Sequence, residues 1–468
     1  MNSLQIIFRQ MRQRALSTWL TLLSVLLGVA LAVAVLVVRR DAGRLFGQTD
    51  YGFDVLIGAK GSATQLVFNT IYHIDRSPGN IPYSLYTDLL SSPAFRPLVR
   101  IAVPTVVGDS YRGRRIVGTL PKLFGLDDQG APLPPDRVLE YRPGRTYQIA
   151  AGRVFAADKF EALIGSDIAA ETSLQLGDEF QATHGLPAPG EIPDIHKPRW
   201  KVVGVLQPTH TSADHVIFIP LLSFYTIAEH GVGLVAQKAL RDGQDPAAAI
   251  AEFKAQVAPG AKDDDEAPDN FTLDAEGHIQ LQLSPEVWGL SAILVQARSQ
   301  PLALGLMYAV NNGSVASAVN PALVMRDFFG LFLRGPTLVL LAVSVLVTLV
   351  AGVGILVSIY NSVAARAREI ALLRALGATR ARILGLICAE AGLIGLMGGV
   401  LGLLVGHLLA GAGSFWMRQW LGESLNWTTV DGQEGYYLAG VVILATLAGL
   451  VPALKAYRTP VAANLVAN

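Results

Sequence analysis

The sequence predicts a membrane protein with four transmembrane α-helices and a large α+β extracytoplasmic domain inserted between the first and second of them. Charged residues make up 16% of the 468 residues, whereas a soluble globular domain contains roughly 25%. The deficit is concentrated in four stretches that are long enough to cross a bilayer, for which about 20 apolar residues suffice. Residues 39–334, between the first two stretches, keep an ordinary polarity.

Four segments are predicted to span the membrane: residues 15–38, 335–361, 383–413 and 435–454. They contain no Asp, Glu, Lys or Arg, except for Glu390 in the third. Aromatic residues are frequent at membrane interfaces, and those near the span ends are Trp19, Tyr360, Trp416, Tyr436 and Tyr437.

The first segment also resembles a secretory signal peptide, because Arg9, Arg12 and Arg14 precede it and Ala30-Leu31-Ala32 is similar to a cleavage site. Its apolar run continues to Val38 and exceeds the roughly 7–15 residues of a signal-peptide core. We therefore expect an uncleaved membrane anchor.

Lysine and arginine are concentrated in the loops of one side, a bias that marks the cytoplasmic side of a membrane protein. The loop at residues 362–382 contains one acidic residue, Glu369, against five arginines: Arg366, Arg368, Arg374, Arg380 and Arg382. We predict a cytoplasmic location for this loop, for the amphipathic N-terminal segment 1–14 and for the tail 455–468. Residues 39–334 and the short loop 414–434 are predicted to be extracytoplasmic.

The domain of residues 39–334 alternates strand-like and helix-like runs, which predicts an α+β fold. The strand-like runs are residues 101–107, 115–119, 201–206 and 216–219, and the helix-like runs are residues 82–90, 245–257 and 301–309. Two loops are expected, at residues 186–198 and around the charged run 262–266.

No catalytic or nucleotide-binding motif is present in the sequence. Gly58-Ala59-Lys60-Gly61-Ser62 contains the residue types of a P-loop, but its spacing differs from GxxxxGK[ST]. A net charge of zero provides no basic surface for nucleic acid. The single cysteine, Cys388, excludes an intrachain disulfide. We predict that the chain is not an enzyme and binds no cofactor, with zinc left open.

Five of the eight histidines lie between residues 184 and 230, interspersed with Glu191, Asp194 and Asp214. Imidazole and carboxylate are common zinc ligands. We take His196, His210 and His215 as a hypothetical zinc site. No two of the five histidines have helical i,i+4 spacing, so scattered loop histidines are the alternative.

The loop at residues 362–382 is rich in Ala, Leu and Arg, which predicts a helix, and Gly377 predicts its end. Ile370, Leu373 and Leu376 fall on one side of this helix. Docking to a cytoplasmic partner and simple contact with the membrane surface both fit such a helix.

The string RAREIALLRALGATR at residues 366–380 resembles the signature of the MacB/FtsX/LolC-type permeases, the type VII ABC transporters. A glycine-rich third span and PALKAYRTP at residues 452–460 resemble the same family. In the large domain, ALIGSDIA at residues 162–169 and WKVVGVL at residues 200–206 are similar to the family's MacB-like periplasmic core.

This resemblance implies a stand-alone permease subunit of an ABC complex in the bacterial inner membrane. A cytoplasmic ABC ATPase dimer, with ATP and magnesium, would engage the helix of residues 362–382. The implied coupling residues are Arg368, Glu369, Leu372, Leu373, Arg374 and Gly377. ATP hydrolysis would move the extracytoplasmic domain, a process called mechanotransmission, and would export or extract a periplasmic or outer-leaflet lipoprotein, lipid or small molecule.

Two alternatives to this function are an FtsX-like protein that activates an extracytoplasmic partner, and a component of a zinc transport system. The expected partners are membrane lipid, a second permease copy or a paralogue, and a periplasmic adaptor or lipoprotein. No nucleic-acid partner is expected.

The third span contains two further features. Gly398, Gly402 and Gly406 recur every fourth residue and form a small-residue face for close helix packing, either within the chain or at a dimer seam. Glu390 is an intramembrane carboxylate, a functional candidate by default, which could also pair with Arg382. Cys388 is expected only to pack.

Overall fold

The computed structural model describes residues 11–12, 15–45, 51–74, 76–186, 192, 194–257, 269–332, 334–421 and 425–458. The chain forms a helical unit of Met1–Gly47 and Phe328–Asn468, and an inserted unit of Gln48–Asp327. Most of the predicted N-terminal segment 1–14, the charged run 262–266 and the end of the predicted tail lie outside the described residues.

The described α-helices are α1 (Ala15–Leu45), α2 (Ala63–Thr70), α3 (Tyr83–Ser91), α4 (Ile168–Thr172), α5 (Leu221–Phe224), α6 (Ala228–Arg241), α7 (Pro246–Val257), α8 (Gln300–Asn312), α9 (Pro321–Phe332), α10 (Arg334–Ala365), α11 (Ala367–Ala375), α12 (Arg380–Leu421) and α13 (Gly432–Arg458). Short 3-10 helices cover Pro121–Phe124, Pro135–Arg137 and Ser212–His215.

Four apolar stretches of these helices are long enough to cross a membrane: Ala15–Asp41, Pro321–Ala365, Arg380–Met417 and Gly432–Lys455. They confirm the predicted four transmembrane helices. α1 and α12 contain 31 and 42 residues, which correspond to about 47 and 63 Å of helix at about 1.5 Å per residue. Since the hydrocarbon core of a bilayer is about 30 Å thick, both helices extend beyond it.

Close contacts at glycines establish the relative directions of the spans. A Cβ atom added at Gly398 would lie 2.8 Å from Val25 Cβ, and one added at Gly406 would lie 2.7 Å from Val33 Cβ. α1 and α12 therefore run parallel. Two other helix pairs are antiparallel, because residue numbers rise along one helix as they fall along the other. In α1 and α10, Gly28 meets Thr348 and Thr21 meets Gly354. In α12 and α13, Gly395 meets Ala445 and Gly399 meets Leu438. The starts of α1 and α12 thus lie at the same end of the bundle as the ends of α10 and α13.

The inserted unit contains β1 (Val55–Gly58), β2 (Ile81–Pro82), β3 (Val99–Tyr111), β4 (Arg114–Thr119), β5 (Glu140–Arg142), β6 (Arg145–Thr146), β7 (Ile149–Gly152), β8 (Glu161–Ile164), β9 (Glu179–His184), β10 (Ile195–Leu206), β11 (Ile217–Pro220), β12 (Phe271–Leu273), β13 (Ile279–Leu281), β14 (Gly289–Leu290), β15 (Ala292–Ala297) and β16 (Ser317–Val319). Ten strands form one sheet in the order β16-β1-β15-β3-β4-β11-β8-β10-β7, with β9 paired to both β10 and β3. The pairs β4/β11 and β8/β10 are parallel, so the sheet is mixed and the predicted α+β class is confirmed.

The core of the inserted unit is built on strands that are buried on both faces. Every residue of β1, β8 and β11 is buried, which explains why their sequences are apolar except for Glu161, whose carboxylate pairs with Arg153 Nη2 at 2.6 Å. Trp200 on β10 is fully buried and lies 5.8 Å from the ring of Phe160 and 6.0 Å from that of Phe180, measured between centroids. Its Nε1–H donates to Ser223 Oγ at 2.9 Å.

The predicted strand-like and helix-like runs are found in β3, β4, β10 and β11 and in α3, α7 and α8. One predicted loop requires correction, because the last residues of the segment 186–198 form the start of β10. The register of β10 against β9 shifts between Ile195 and Arg199. Such an irregularity accommodates Pro198, which cannot donate a ladder hydrogen bond.

Candidate functional site

The end of α11, the helix between the second and third spans, is set by Gly377. This glycine has a φ of +99°, a left-handed conformation that is free of strain only without a Cβ atom. The Ala378 N–H donates to Leu373 O at 2.9 Å, and the Gly377 N–H donates to Arg374 O at 3.1 Å. Together these bonds form the Schellman motif that ends many helices. The turn from α11 into α12 is therefore tightly defined.

α11 is held against the helical unit by one side and exposes leucines on the other. Ala371 is buried and Ile370 packs against the core of the bundle. Leu372 and Leu373 are 48% and 45% exposed, and Leu376 is 85% exposed. Three clustered exposed leucines on one short helix are unusual for a solvated surface and indicate a contact site.

Charged coupling candidates surround this apolar face. Arg368 and Glu369 are exposed, and Arg374 is partly buried. A central apolar patch with a polar rim that contains arginine is typical of protein–protein interfaces. The geometry thus fits partner docking, with membrane-surface contact as the alternative.

Replacing Gly377 with alanine is expected to destabilise the helical unit by about 1–2 kcal/mol, because a left-handed backbone strains any residue with a Cβ atom. Thermal unfolding of the detergent-solubilised chain measures the effect. Gly385→Ala is the matched control, since Gly385 is an exposed α12 residue whose added Cβ has open space. Equal melting temperatures for the two variants would contradict the prediction.

The glycine stripe of α12 (Gly398, Gly402 and Gly406) packs against α1 of the same chain. A Cβ atom at Gly402 would lie 2.6 Å from Val29 Cβ and 2.8 Å from Leu26 O. The stripe therefore provides close helix packing within the chain, and α1 occupies the face that a dimer seam would need.

The other two features of the third span, Glu390 and Cys388, both lie on α12. Glu390 is 8% exposed, inside the bundle, whereas Arg382, the partner considered from the sequence, is exposed. A carboxylate buried in a span is costly and usually functional. Cys388 is partly buried and packs against the apolar core of the bundle.

A polar cluster at the opposite end of the bundle from α11 was not singled out by the sequence pattern. His407 Nε2 lies 2.9 Å from Glu434 Oε2, and both side chains are buried. Arg40 lies 3.8 Å from Glu434 and donates to Asn426 O at 2.8 Å and to Thr429 O at 2.6 Å. These contacts hold the Arg40 side chain at the end of α1. A histidine inside the third span was the available signal.

In the inserted unit, Asp109, His184, His196 and His230 form a histidine–aspartate cluster. Each offers one ligand atom, and the four atoms lie within 4.8 Å of one another. Asp109 Oδ1 lies 3.2 Å from Nε2 of both His196 and His230 and 3.8 Å from Nδ1 of His184. Asp109 and His196 are buried, and His184 is exposed.

Strand pairing and one helix bring these four residues together. Asp109 on β3 is directly opposite His184 on β9. β10 pairs with the other side of β9 and carries His196 at its start. His230 lies in the first turn of α6.

The cluster is electrostatically coupled. Burial raises the pKa of the Asp109 carboxyl, but the charge and hydrogen bonds of His230 and His196 outweigh burial and lower this pKa to about 2. Burial also lowers the pKa of His196, but its hydrogen bond and charge interaction with Asp109 outweigh it, so the net shift is upward. Asp109 is therefore ionised at neutral pH and available as an acceptor or ligand.

Two of the three hypothetical zinc ligands lie elsewhere. His215 Nδ1 lies 2.9 Å from Glu171 Oε1. His210 has a φ of +53° and occupies a turn in which its N–H donates to Asp214 Oδ2 at 2.7 Å. The hypothetical set His196, His210 and His215 is therefore corrected, because only His196 belongs to the cluster that the described residues form. Asp109, far away in the sequence, carried no local signal.

Two family profiles match the chain. The MacB-like periplasmic core domain matches residues 18–256, which is more than half of the chain, and the FtsX-like permease C-terminal domain matches residues 341–461. The chain belongs to the MacB/FtsX/LolC-like family of ABC transporter permeases. In this permease, the first profile covers most of α1 and most of the inserted unit, and the second covers α11, α12, α13 and most of α10. Permeases of this type are membrane-embedded, non-catalytic transporter components.

Relatives support this membership over shorter stretches. The permease is 34% identical over 125 residues to the macrolide export ATP-binding/permease protein MacB of Nitrobacter winogradskyi. The aligned residues make up 27% of this chain and 18% of that protein. It is also 32% identical over 116 residues to an uncharacterized ABC transporter permease of Methanocaldococcus jannaschii. These residues make up 25% of this chain and 28% of that protein. The chain thus spans less than a third of either relative.

Proposed function

We propose that this permease couples ATP hydrolysis by a separate cytoplasmic ABC ATPase to movement of its periplasmic core domain. The observation that carries the proposal is the exposed apolar face of α11, formed by Leu372, Leu373 and Leu376. The family is one of permeases that work with ABC ATPases, so an ATPase of this class is the partner expected on that face. α11 would then be the coupling helix, and membrane lipid would surround the spans.

The packing of the helical unit supports transmission of a movement of α11. Ile370 joins α11 to the apolar core of the bundle, and the Schellman turn at Gly377 links it to α12 without a flexible linker. α12 in turn contacts α1 along the glycine stripe. The chain continues from α1 into the inserted unit, so a displacement of α11 would reach that unit along α12 and α1.

The proposal places α11 and both termini on the cytoplasmic side of the bacterial inner membrane. Two observations support this topology. The starts of α1 and α12 and the ends of α10 and α13 lie at the same end of the bundle, and the sequence around α11 is rich in arginine. The cargo would be a periplasmic or outer-leaflet molecule, such as a lipoprotein, a lipid or a small molecule. Because the motion is delivered outside the membrane, no substrate path through the bilayer is required.

Copurification tests the docking face. We expect the full-length permease, purified from its native membrane in detergent, to bring along an ABC ATPase that hydrolyses MgATP. Leu376→Asp is expected to reduce the copurified ATPase about tenfold or more, as truncating an interface hot spot typically does. Leu372→Asp should have a similar effect, because its side chain belongs to the same face.

Leu304→Asp is the matched control for these variants. Leu304 is a 64% exposed leucine on α8, in the inserted unit, so its replacement should leave ATPase recovery unchanged. Full recovery of the ATPase with both α11 variants would exclude this face as the docking site. Absence of any ABC ATPase from the wild-type preparation would contradict the proposed function itself.

A further inference from the structure

We propose that Asp109, His184, His196 and His230 form a binding site for one Zn²⁺ ion in the inserted unit. Three imidazoles and one carboxylate converge from four different elements, β3, β9, β10 and α6. Zn²⁺ takes such nitrogen and oxygen ligands in four-coordinate tetrahedral sites. The proposal is independent of the docking of an ATPase.

The distances from Asp109 to the three histidines are close to those of a zinc tetrahedron. Zinc–nitrogen bonds of about 2.0–2.1 Å imply ligand–ligand distances of about 3.3–3.4 Å. Asp109 Oδ1 lies 3.2 Å from Nε2 of His196 and of His230, and 3.8 Å from Nδ1 of His184. Only small side-chain movements are therefore needed to surround an ion.

The second ring nitrogens of two histidines have acceptors of the kind that support metal ligands. His230 Nδ1 lies 3.4 Å from Phe224 O, an acceptor that would hold the Nδ1 proton when Nε2 binds a metal. His196 Nδ1 faces Glu229 Oε2 at 3.6 Å. Metal-bound histidines almost always donate their other N–H to a carbonyl or carboxylate.

One oxygen of the buried Asp109 carboxylate has no partner in the described part of the protein. Asp109 is 0% exposed, and its Oδ2 has no hydrogen-bond partner among the described residues. A buried charge is costly unless it is paired or coordinates a metal. A cation in the cluster would neutralise this carboxylate directly, and Oδ2 could join Oδ1 in binding it.

The donor types favour zinc over the hard cations. Mg²⁺ and Ca²⁺ prefer oxygen ligands, whereas imidazole suits zinc and similar transition metals. Four protein ligands fill a tetrahedral shell, as in structural zinc sites, and catalytic sites keep a position open. The bound ion would therefore hold β3, β9, β10 and α6 together rather than activate water.

An ion could reach the cluster from solvent. The His184 side chain is 55% exposed and lines a groove of about 450 Å³, to which Asp194 and Arg115 also contribute. His184 is thus the ligand that an entering ion meets first, and it can be replaced with little risk to the fold.

Zinc titration of the full-length permease tests the site. The protein is purified in detergent with a streptavidin-binding tag, because a polyhistidine tag would itself bind zinc, and is stripped with a chelator. Titration with Zn²⁺ against a chromophoric chelator is expected to show one tightly bound ion per chain. Co²⁺ in its place should produce the intense visible absorption of tetrahedral coordination.

Two sets of variants decide whether the ion binds in the cluster. His184→Ala, alone and with His230→Ala, is expected to weaken zinc binding at least about tenfold, since loss of even an outer-shell partner costs roughly 10–100-fold. His215→Ala, a histidine of the same unit paired with Glu171, should leave the affinity unchanged. No tight zinc binding by the wild-type chain, or equal affinity in the His184 variants, would overturn the proposal and leave a hydrogen-bond network.

Discussion

Replacing Gly402 with leucine is expected to force α1 and α12 apart and to destabilise the helical unit by about 2–3 kcal/mol. Even a Cβ atom at this position would lie 2.6 Å from Val29 Cβ and 2.8 Å from Leu26 O. The oxygen belongs to the backbone, so no side-chain rotation can remove the clash. Since Gly398 and Gly406 meet α1 equally closely, separation of the helices would also weaken their contacts. Thermal unfolding in detergent, followed by circular dichroism, measures the loss.

Gly413→Leu provides the matched control on the same helix. Gly413 is exposed, and an added Cβ would meet no neighbouring group within 4 Å. Leucine is a better helix former than glycine by roughly 0.5–1 kcal/mol, so the control should melt at the same temperature as the wild type or slightly higher. Similar melting of the two leucine variants would show that the glycine stripe does not limit the approach of α1.

Replacing Trp200 with alanine is expected to destabilise the inserted unit by about 3–5 kcal/mol, the usual cost of truncating a fully buried tryptophan. The side chain is 0% exposed and packs between Phe160 and Phe180. Its removal leaves a cavity on β10 and deprives Ser223 Oγ of a hydrogen-bond donor at 2.9 Å. Hydrogen exchange of the amides of β8 and β10 in the full-length chain reports the opening free energy of this unit.

Two further variants separate volume from hydrogen bonding. Trp200→Phe keeps an aromatic ring but loses the Nε1–H, so an intermediate loss of about 1–3 kcal/mol is expected. Tyr308→Ala removes an aromatic side chain that is 71% exposed on α8 and should change stability by no more than about 0.5 kcal/mol. Exchange rates that do not distinguish Trp200→Ala from Tyr308→Ala would contradict this account of the core.

The helix α11 shows how far local sequence determines a candidate site. Gly377 could be predicted as the end of α11, because a helix stop depends on the conformational freedom of one residue. The side of α11 that is exposed could not be predicted in full. Ile370, Leu373 and Leu376 were placed on one side by their spacing, yet Ile370 packs against the bundle while the two leucines are exposed. Neighbouring helices, which the spacing does not contain, decide that difference.

The histidine–aspartate cluster shows the opposite case. Three of its four members were visible as a concentration of histidines, but the hypothetical ligand set combined His196 with His210 and His215. Asp109 joins His184 only because β3 pairs antiparallel with β9 in one register. A shift of that register by one residue would turn Asp109 to the other face of the sheet, and this register depends on contacts between residues far apart in the chain.

Composition and local spacing were sufficient for the four spans, the α+β class of the inserted unit and the helix stop at Gly377, since each depends on consecutive residues. The low charge content in particular already required long apolar helices. The tertiary fold alone assigned α1 to the glycine stripe, selected Asp109 and three histidines as one cluster, and left the leucines of α11 exposed. Those outcomes depend on which distant surfaces meet, and the free energy of such contacts is not a property of any single segment.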